Sequence, residues 1–262
     1  MLHTAGKKKA RSLMIGNYDP GYLLTQSVNI LVLIGSQYFN GLLVIHKNVR
    51  VNYTRKINHF MLFFVPILLN RGYAHYETYG LFIIGAFLAV AKFIFYTGPV
   101  RNRVPFINVM FTSFDRPEDR PHTLLWLVTQ TAAGYMVLIP MSILFAAHDL
   151  LEFVLIPILI YGIGDGLAEP VGVRFGRHRY RTPALFTGKE YYRTLEGSAA
   201  VFFTSLAIIA AYYNYFTPQQ FLAAIIAVPV IMTLVEALSP HTWDAPTLFL
   251  AGYITLYSIA MI

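Results

Sequence analysis

The sequence predicts an all-α fold: a polytopic membrane bundle of about seven to eight transmembrane helices. Of its 262 residues 56% are hydrophobic and 15% aromatic, whereas only 13% are charged. So few charged residues cannot cover a water-soluble chain of this size. Apolar runs also reach the length of about 20 residues that crosses a bilayer, and positive charge collects in alternate connections between them.

Eight apolar runs underlie the predicted number of helices. The second and last are short, so a re-entrant or tilted segment is an alternative at either place. With no internal repeat or linker, we expect one integral membrane domain at 22–262, preceded by a basic N-terminal segment at 1–21. The absence of cysteine excludes disulfides and thiolate zinc sites. The runs are 22–46, 57–72, 79–98, 123–147, 150–168, 197–215, 219–238 and 246–262.

Charge is distributed unevenly between the two faces of such a bundle. If the runs alternate in direction, one face carries only Arg71, and by the positive-inside bias the other face is cytoplasmic. The net charge of +7 is spread between apolar runs, which favours anionic lipid and phosphate ligands over nucleic acid. The basic face holds Lys47, Arg50, Arg55, Lys56, Arg101, Arg103, Arg116, Arg120, Arg174, Arg177, Arg179, Arg181, Lys189 and Arg193.

The first run is the exception to this pattern. Lys7, Lys8, Lys9 and Arg11 precede it and would lie on the opposite face. The run is also unusually polar, so whether it spans stays open. Its polar residues are Gln26, Asn29, Ser36, Gln37 and Asn40.

Five carboxylates lie at run ends on the basic face: Asp165, Glu169, Glu196, Glu236 and Asp244. Ionisable groups in or beside hydrocarbon cost several kcal/mol unless they are paired. Their presence there therefore indicates a functional site, with a structural ion network involving Arg174 or Arg177 as the alternative.

The stretch "GIGDGLAEPVG" places Asp165 and Glu169 four residues apart, on one side of the segment if it is helical. Its glycines permit close approach of a ligand, or else close helix packing, and Pro170 predicts an interruption of regular helix. Hard cations such as magnesium bind such carboxylates together with phosphate oxygens.

The connection that follows is strongly basic, which suits a metal-bound polyphosphate; binding of acidic lipid head groups is the alternative. At its end Glu196, Gly197 and Ser198 open the next run, where free amides can hold a phosphate or simply start a helix. The basic side chains are Arg174, Arg177, His178, Arg179, Arg181, Lys189 and Arg193.

Four stretches resemble a known family when taken in order. "GDGLAEPVGVRFG" followed by "RTLEGSAAVFF" resembles the signature of the CTP-dependent lipid-alcohol kinases, the family of dolichol kinase, phytol kinase and yeast-type diacylglycerol kinase. "TRKINHF" resembles the family's early Arg-Lys-x-x-His, and "VEALSPHTWDAPTLFL" its late Glu-x-x-Ser-Pro followed by Asp-Asn. The resemblance covers residues 54–250.

The resemblance implies transfer of a phosphoryl group from CTP to the hydroxyl of an isoprenoid alcohol such as phytol, farnesol or dolichol, with diacylglycerol second. It implies Mg²⁺ held chiefly by Asp165, with Glu169 and Asp244 as further candidate ligands. The candidate catalytic residues are Asp165, Glu169, Glu236 and His59. The candidate nucleotide contacts are Arg55, Lys56, Gly164, Gly166, Gly172, Arg174, Gly176, Arg177, Lys189, Arg193, Glu196, Gly197 and Ser198.

Three positions depart from the family's pattern. Glu169 stands where Asp is usual and Arg193 where Lys is common, and both changes keep the charge. Ala245 replaces the Asn expected after Asp244, which removes an amide and puts the role of Asp244 in question.

Other residues and functions have competing interpretations. The connection at 99–122 brings Arg116, Asp119, Arg120 and His122 to the basic face as a lid or a secondary phosphate contact. Self-neutralising surface charge is the alternative for Asp115, Glu118 and Asp119, and Lys92 is expected to snorkel toward the same face. A phosphatidate cytidylyltransferase also joins CTP to a lipid, but its paired Asp-Arg-x-x-Asp signature is absent. A transporter predicts charges near mid-membrane and internal repeats; a non-catalytic scaffold is the last alternative.

Overall fold

The computed structural model describes residues 20–69 and 79–262, and the predicted basic segment 1–21 therefore lies outside it except for its last two residues. Helices dominate, as the sequence predicts. The helices are α1 (Pro20–Lys47), α2 (Val51–Leu69), α3 (Tyr79–Ala91), α4 (Gly98–Arg103), α5 (Pro105–Thr112), α6 (Thr123–Ala147), α7 (Leu155–Leu159), α8 (Gly166–Phe175), α9 (Leu195–Ala211), α10 (Pro218–Leu238) and α11 (Asp244–Ala260).

Every predicted apolar run is mainly helical where the structure describes it. Four segments are long and apolar enough to cross a membrane, and two shorter apolar helices cover Phe82–Tyr96 and Leu195–Ala211. The all-α class and an integral membrane protein are thus confirmed, whereas a total of seven to eight spans stays a prediction. The four segments are Leu24–Lys47, Thr123–Ala147, Leu151–Phe175 and Pro218–Leu238.

The main apolar core lies among α6 to α11. Phe145, Ile156, Val201, Met232 and Leu256 are almost wholly buried within it. Close helix contacts set this packing: a β-carbon at Gly252 of α11 would lie 2.9 Å from the side chain of Pro157. Large apolar side chains on the outer surface suit a hydrocarbon solvent, in which apolar residues need no cover.

Polar contacts dock α1 on α2 and α5. Asn40 Nδ2 donates to Asn58 Oδ1 at 2.7 Å, and Asn58 Nδ2 donates to Ser113 Oγ at 2.7 Å. Interhelical hydrogen bonds of this kind join membrane helices that have no hydrophobic force between them. Ser36, Gln37 and Asn40 of the first run are therefore explained by packing against neighbouring segments, whereas Gln26 and Asn29 are hydrogen-bonded to each other within α1.

Both long connections between apolar runs contain secondary structure. The connection at 99–122 contains α4 and α5, and the connection at 173–196 contains an antiparallel hairpin of β1 (Arg179–Thr182) and β2 (Tyr191–Thr194), in which Arg179 pairs with Thr194. The hairpin brings β2 directly into α9. Thr194 caps that helix, because its Oγ1 accepts from the Gly197 amide at 3.1 Å.

The sequence predicts that the helix is interrupted at Pro170. The structure places the interruption earlier in the chain. Pro170 lies inside α8, and the irregular segment is a π-helix at Ile160–Asp165 that joins α7 to α8. A π segment widens the helical turn and often marks a functional site. Asp165 therefore lies where the irregular segment ends.

The close approach of α1 to α5 yields a stability prediction. A β-carbon at Gly41 would lie 2.0 Å from the carbonyl oxygen of Val109, whereas one at Gly35 of the same helix meets nothing within 4 Å. We expect Gly41→Ala to lower the free energy of unfolding in detergent by about 1–3 kcal/mol, since the helices must separate. Gly35→Ala is the matched control and is expected to be neutral or mildly stabilising. Equal unfolding midpoints for the two variants would contradict this docking.

Candidate functional site

Two ion pairs join α2 to the π segment and α8. Lys56 Nζ donates to Asp165 Oδ2 and to the Asp165 carbonyl oxygen, each at 2.8 Å, and Arg55 forms an ion pair with Glu169. Lys56 and Asp165 are both buried, so water cannot hydrate either charge freely. Asp165 and Glu169 lie on the same side of their segment, as their spacing predicts, and both meet the predicted Arg-Lys pair.

The glycines on either side of Asp165 allow this approach. A β-carbon at Gly166 would lie 2.7 Å from the ring of Phe60 on α2, and one at Gly164 would lie 3.4 Å from the Cα of Val201 on α9. Gly166 therefore allows the close approach of α2, whereas Gly164 is in ordinary contact with α9. They do not line the polar cleft described below, which departs from their predicted contact with nucleotide.

Arg116 holds the other side of Glu169. Its Nη1 donates to Glu169 Oε1 at 2.7 Å, its Nε donates to Asp119 Oδ2 at 2.7 Å, and its Nη2 lies 3.0 Å from His241 Nε2. Asn52 Nδ2 also donates to Glu169 Oε1, at 2.8 Å. Arg116 thus links α8, the connection at 99–122 and the turn before α11.

Asp119 and His241 complete this cluster. They are 3.0 Å apart between Oδ1 and Nε2. Burial alone raises the pKa of Asp119, but the hydrogen bond with His241 and the charge of Arg116 outweigh it, and the pKa lies below its usual value. Burial lowers the pKa of His241 to about 4 despite Asp119, so the imidazole is neutral near pH 7.

The interpretation of Asp119 as surface charge is wrong, because its side chain is buried between Arg116 and His241. His241, within the "SPHTWD" stretch, was not predicted as a site residue at all. Its ring stacks on that of Tyr191 with centroids 3.8 Å apart. In contrast, Arg120 stays exposed and pairs with Asp115 at 2.8 Å, which matches the self-neutralising alternative.

A second cation joins the hairpin to α10 and α11. Arg193 Nη1 lies 2.5 Å from Glu236 Oε1, and Nη2 forms an ion pair with Asp244. Ser198 Oγ donates to Glu236 Oε2 at 3.0 Å, and Tyr180 OH lies 2.6 Å from Ser198 Oγ. Four predicted site residues from distant parts of the chain therefore share one hydrogen-bonded network.

These clusters surround a polar cleft of about 660 Å³. Arg50 and Arg179, which the family resemblance did not single out, also line it. Neither of them forms an ion pair with a carboxylate in the described part of the chain. The predicted residues along its walls are Arg55, Lys56, Asp165, Glu169, Gly172, Gly176, Lys189, Arg193, Gly197, Ser198, Glu236 and Asp244.

Three other predicted nucleotide contacts lie away from the cleft. Arg174 and Arg177 are exposed and do not line it. Glu196 instead binds His178, at 2.8 Å between Oε1 and Nδ1, and hydrogen bonds from backbone amides and from His178 lower the pKa of Glu196 to about 2. Lys189 lines the cleft, but its Nζ donates to the carbonyl oxygen of Arg120 at 2.8 Å.

A second, largely apolar cavity of about 200 Å³ lies between α1, α2, α3, α6 and α11. His59 lines it, with Nε2 3.3 Å from the Tyr161 carbonyl oxygen and 3.8 Å from Asp165 Oδ2. Ala245 lines it too, so the missing amide at position 245 belongs to this cavity and not to the polar cleft. The two cavities share four residues: Arg55, Lys56, Asp165 and Asp244.

The described residues contain no group of three or more histidine or acidic side chains that could hold a metal ion by themselves. Each proposed ligand has a cationic partner: Asp165 has Lys56, Glu169 has Arg55 and Asp244 has Arg193. Mg²⁺ commonly takes only one or two carboxylates and completes its shell with water and substrate phosphates. Asp165, at the wall common to both cavities, fits that mode of binding.

Comparison with protein-family models, with curated proteins and with solved structures gave no match for this chain.

The contacts of Arg116 lead to a matched pair of substitutions. We expect Arg116→Lys to lower the free energy of unfolding by about 2 kcal/mol, because one ammonium group cannot replace three directed contacts to buried partners. Arg120→Lys, at an exposed ion pair, should change it by less than about 0.5 kcal/mol. Chemical denaturation in detergent measures both values. Indistinguishable effects would show that Arg116 does not hold the cluster.

His241 predicts how stability depends on pH. Its pKa is about 4 in the folded protein and about 6.5 when unfolded, so the unfolded chain binds more protons between these values. Stability should therefore be unaffected above about pH 7 and fall as the pH drops from 6.5 to 4, by at most about 3 kcal/mol.

The comparison of wild type with His241→Gln isolates this contribution from those of other histidines. We expect the difference in unfolding free energy between the two proteins to shrink as the pH falls from 6.5 to 4. A difference that stays constant over this range would rule out a buried neutral imidazole at His241.

Proposed function

We propose that this protein is a kinase that transfers a phosphoryl group from a nucleoside triphosphate to the hydroxyl of a membrane lipid alcohol. The observation that carries the proposal is the wall common to the two cavities. A polar, cation-lined cleft and an apolar cavity between membrane helices meet at Arg55, Lys56, Asp165 and Asp244. A water-soluble donor and a lipid acceptor can thus reach the same groups from opposite sides.

The polar cleft suits a triphosphate. Arg50 and Arg179 line it without a carboxylate partner among the described residues, and the Nε of Arg55 is a buried donor with no acceptor there. Phosphate oxygens would satisfy these donors. The Gly197 segment at the start of α9 adds backbone to the same cleft, where a side chain at that position would meet the Ala168 carbonyl oxygen at 2.7 Å.

The apolar cavity suits the hydrocarbon tail of the acceptor. Phe63, Leu138 and Phe249 line it, and His59 is placed to bind the hydroxyl beside Asp165. In the transfer, the hydroxyl oxygen forms a bond to the γ-phosphorus as the bond to the leaving nucleoside diphosphate breaks. The hydroxyl proton goes to the Asp165 carboxylate, the candidate base common to both cavities.

Positioning and charge neutralisation supply most of the catalysis in phosphoryl transfer. Mg²⁺, held by Asp165 with Glu169 as a second candidate ligand, would neutralise phosphate charge. Lys56 and Arg55 do so from the protein, and Arg116 holds Glu169 in place. Arg193 forms ion pairs with both Glu236 and Asp244 along the same cleft.

The finer assignments rest on the family resemblance. They are CTP as the donor and an isoprenoid alcohol as the acceptor. A cytoplasmic orientation of the site is proposed on other grounds. The concentration of arginine and lysine around the polar cleft favours that orientation under the positive-inside bias.

Substitution of Asp165 tests the proposal. We expect purified wild type with labelled CTP or ATP to phosphorylate at least one of farnesol, phytol, dolichol and diacylglycerol and to release nucleoside diphosphate. Asp165→Asn should lower this rate at least about a hundredfold, since it removes the base and a metal ligand at nearly constant volume. Glu152→Gln, at an exposed acid on the segment before α7, is the control and should keep full activity.

Two results would contradict the proposal. Full activity of Asp165→Asn would remove this carboxylate from the site. Release of pyrophosphate with formation of a nucleotide-linked lipid would assign the same two cavities to a cytidylyltransferase.

A further inference from the structure

The apolar cavity contains a cation that the proposed chemistry does not use. Lys92 begins a 3₁₀ segment, Lys92–Tyr96, that extends α3, and its side chain lines the cavity. Among the described residues it has neither an ion pair nor a hydrogen bond; its recorded contact is with the ring of Phe93, at 5.4 Å from Nζ to the centroid. An ionisable group in such surroundings is costly and indicates a binding role.

Two further polar side chains meet the same space. Gln130 and Thr131 of α6 line the cavity, and neither makes a hydrogen bond to any described residue. Thr129, by contrast, donates to the Leu125 carbonyl oxygen at 2.8 Å, as threonines in helices commonly do. Donors from α6 and from the extension of α3 therefore line one cavity with no hydrogen-bond partner among the residues that the structure describes.

A plain hydrocarbon chain cannot satisfy these groups. Lys92, Gln130 and Thr131 are half-buried, and a lipid tail that fills the cavity would cover them. Polar groups that are covered without a hydrogen bond cost free energy, and an isoprenoid tail has no acceptor for them. Ester carbonyl oxygens accept hydrogen bonds and are uncharged, which suits a lysine inside the apolar layer. They also lie within a few bonds of the free hydroxyl in an acylated glycerol.

We propose that Lys92 is a specificity residue of the acceptor cavity, which binds the ester carbonyl groups of an acylated glycerol and so favours this class of lipid over isoprenoid alcohols. The inference rests on the proposed function for the identity of the cavity as an acceptor site, and it replaces the isoprenoid acceptor that the family resemblance implies with an acylated glycerol. Lys92 holds the ester region while His59 and Asp165, which line the same cavity, receive the hydroxyl.

Equilibrium binding without nucleotide tests the inference apart from catalysis. The probes are labelled 1,2-dioleoylglycerol, its 1,2-dialkyl ether analogue and phytol, with the full chain in detergent. The two glycerol lipids share the hydroxyl and the tails and differ in the ester carbonyls. Because a hydrogen bond to a charged group contributes about a tenfold change in affinity or more, we expect wild type to bind the diester about tenfold more tightly than the diether.

Substitutions assign that preference to Lys92. Lys92→Met should weaken binding of the diester about tenfold, to the level of the diether, and leave phytol unchanged or bound more tightly. Lys92→Gln retains a donor and should restore part of the preference. Lys47→Met removes an exposed lysine at the end of α1 and should behave as wild type.

The unfolding midpoint of Lys92→Met should equal or exceed that of wild type, since the lysine has no partner among the described residues, so a change in binding is not a folding defect. Equal binding of diester and diether by wild type, or a diester preference that survives in Lys92→Met, would overturn the inference; the second result is also expected if Lys92 only reaches lipid head groups. Ester-selective binding without phosphoryl transfer would instead overturn the proposed kinase activity alone.

Discussion

The pairing of Lys56 with Asp165 is the interaction on which the site depends. Both groups are buried, and Lys56 donates twice, to the carboxylate and to the main-chain carbonyl oxygen of the same residue. Two buried charges are stable only when they stay together, because separation leaves each one desolvated and unpaired. Through this pair α2 is held against the π segment, and the wall between the polar cleft and the apolar cavity is formed from both elements.

The rest of the polar cleft repeats this arrangement with arginine. Arg116 joins Glu169, Asp119 and His241, and Arg193 joins Glu236 and Asp244. Each guanidinium contacts carboxylates from separate parts of the chain, which its planar set of donors allows. The acids are thereby neutralised within the protein, while Arg50 and Arg179 stay available at the cleft. The protein can thus keep acidic side chains beside a site that is proposed to receive an anion.

Much of the site could be predicted from residue spacing and from charge at the ends of apolar runs. Asp165 and Glu169 share a side, and Arg55 and Lys56 meet them. Other features depend on contacts between distant segments that a single sequence does not reveal. From the sequence, Asp119 is expected to be a surface charge beside Arg116 and Arg120. It is buried instead, because His241 packs on it from the turn before α11.

The glycines also show what a single sequence leaves undetermined. A small residue permits either a ligand or a neighbouring helix to approach. Only the structure shows that Gly172 and Gly197 line the cleft while Gly164 and Gly166 do not, and that Gly166, Gly172 and Gly197 all lie close to neighbouring segments. A double-mutant cycle of Lys56→Met and Asp165→Asn, followed by unfolding in detergent, tests the central pair most directly. We expect the double variant to be more stable than the sum of the single changes implies, with a coupling free energy of about 2–3 kcal/mol. Additive effects would show that the two side chains do not meet.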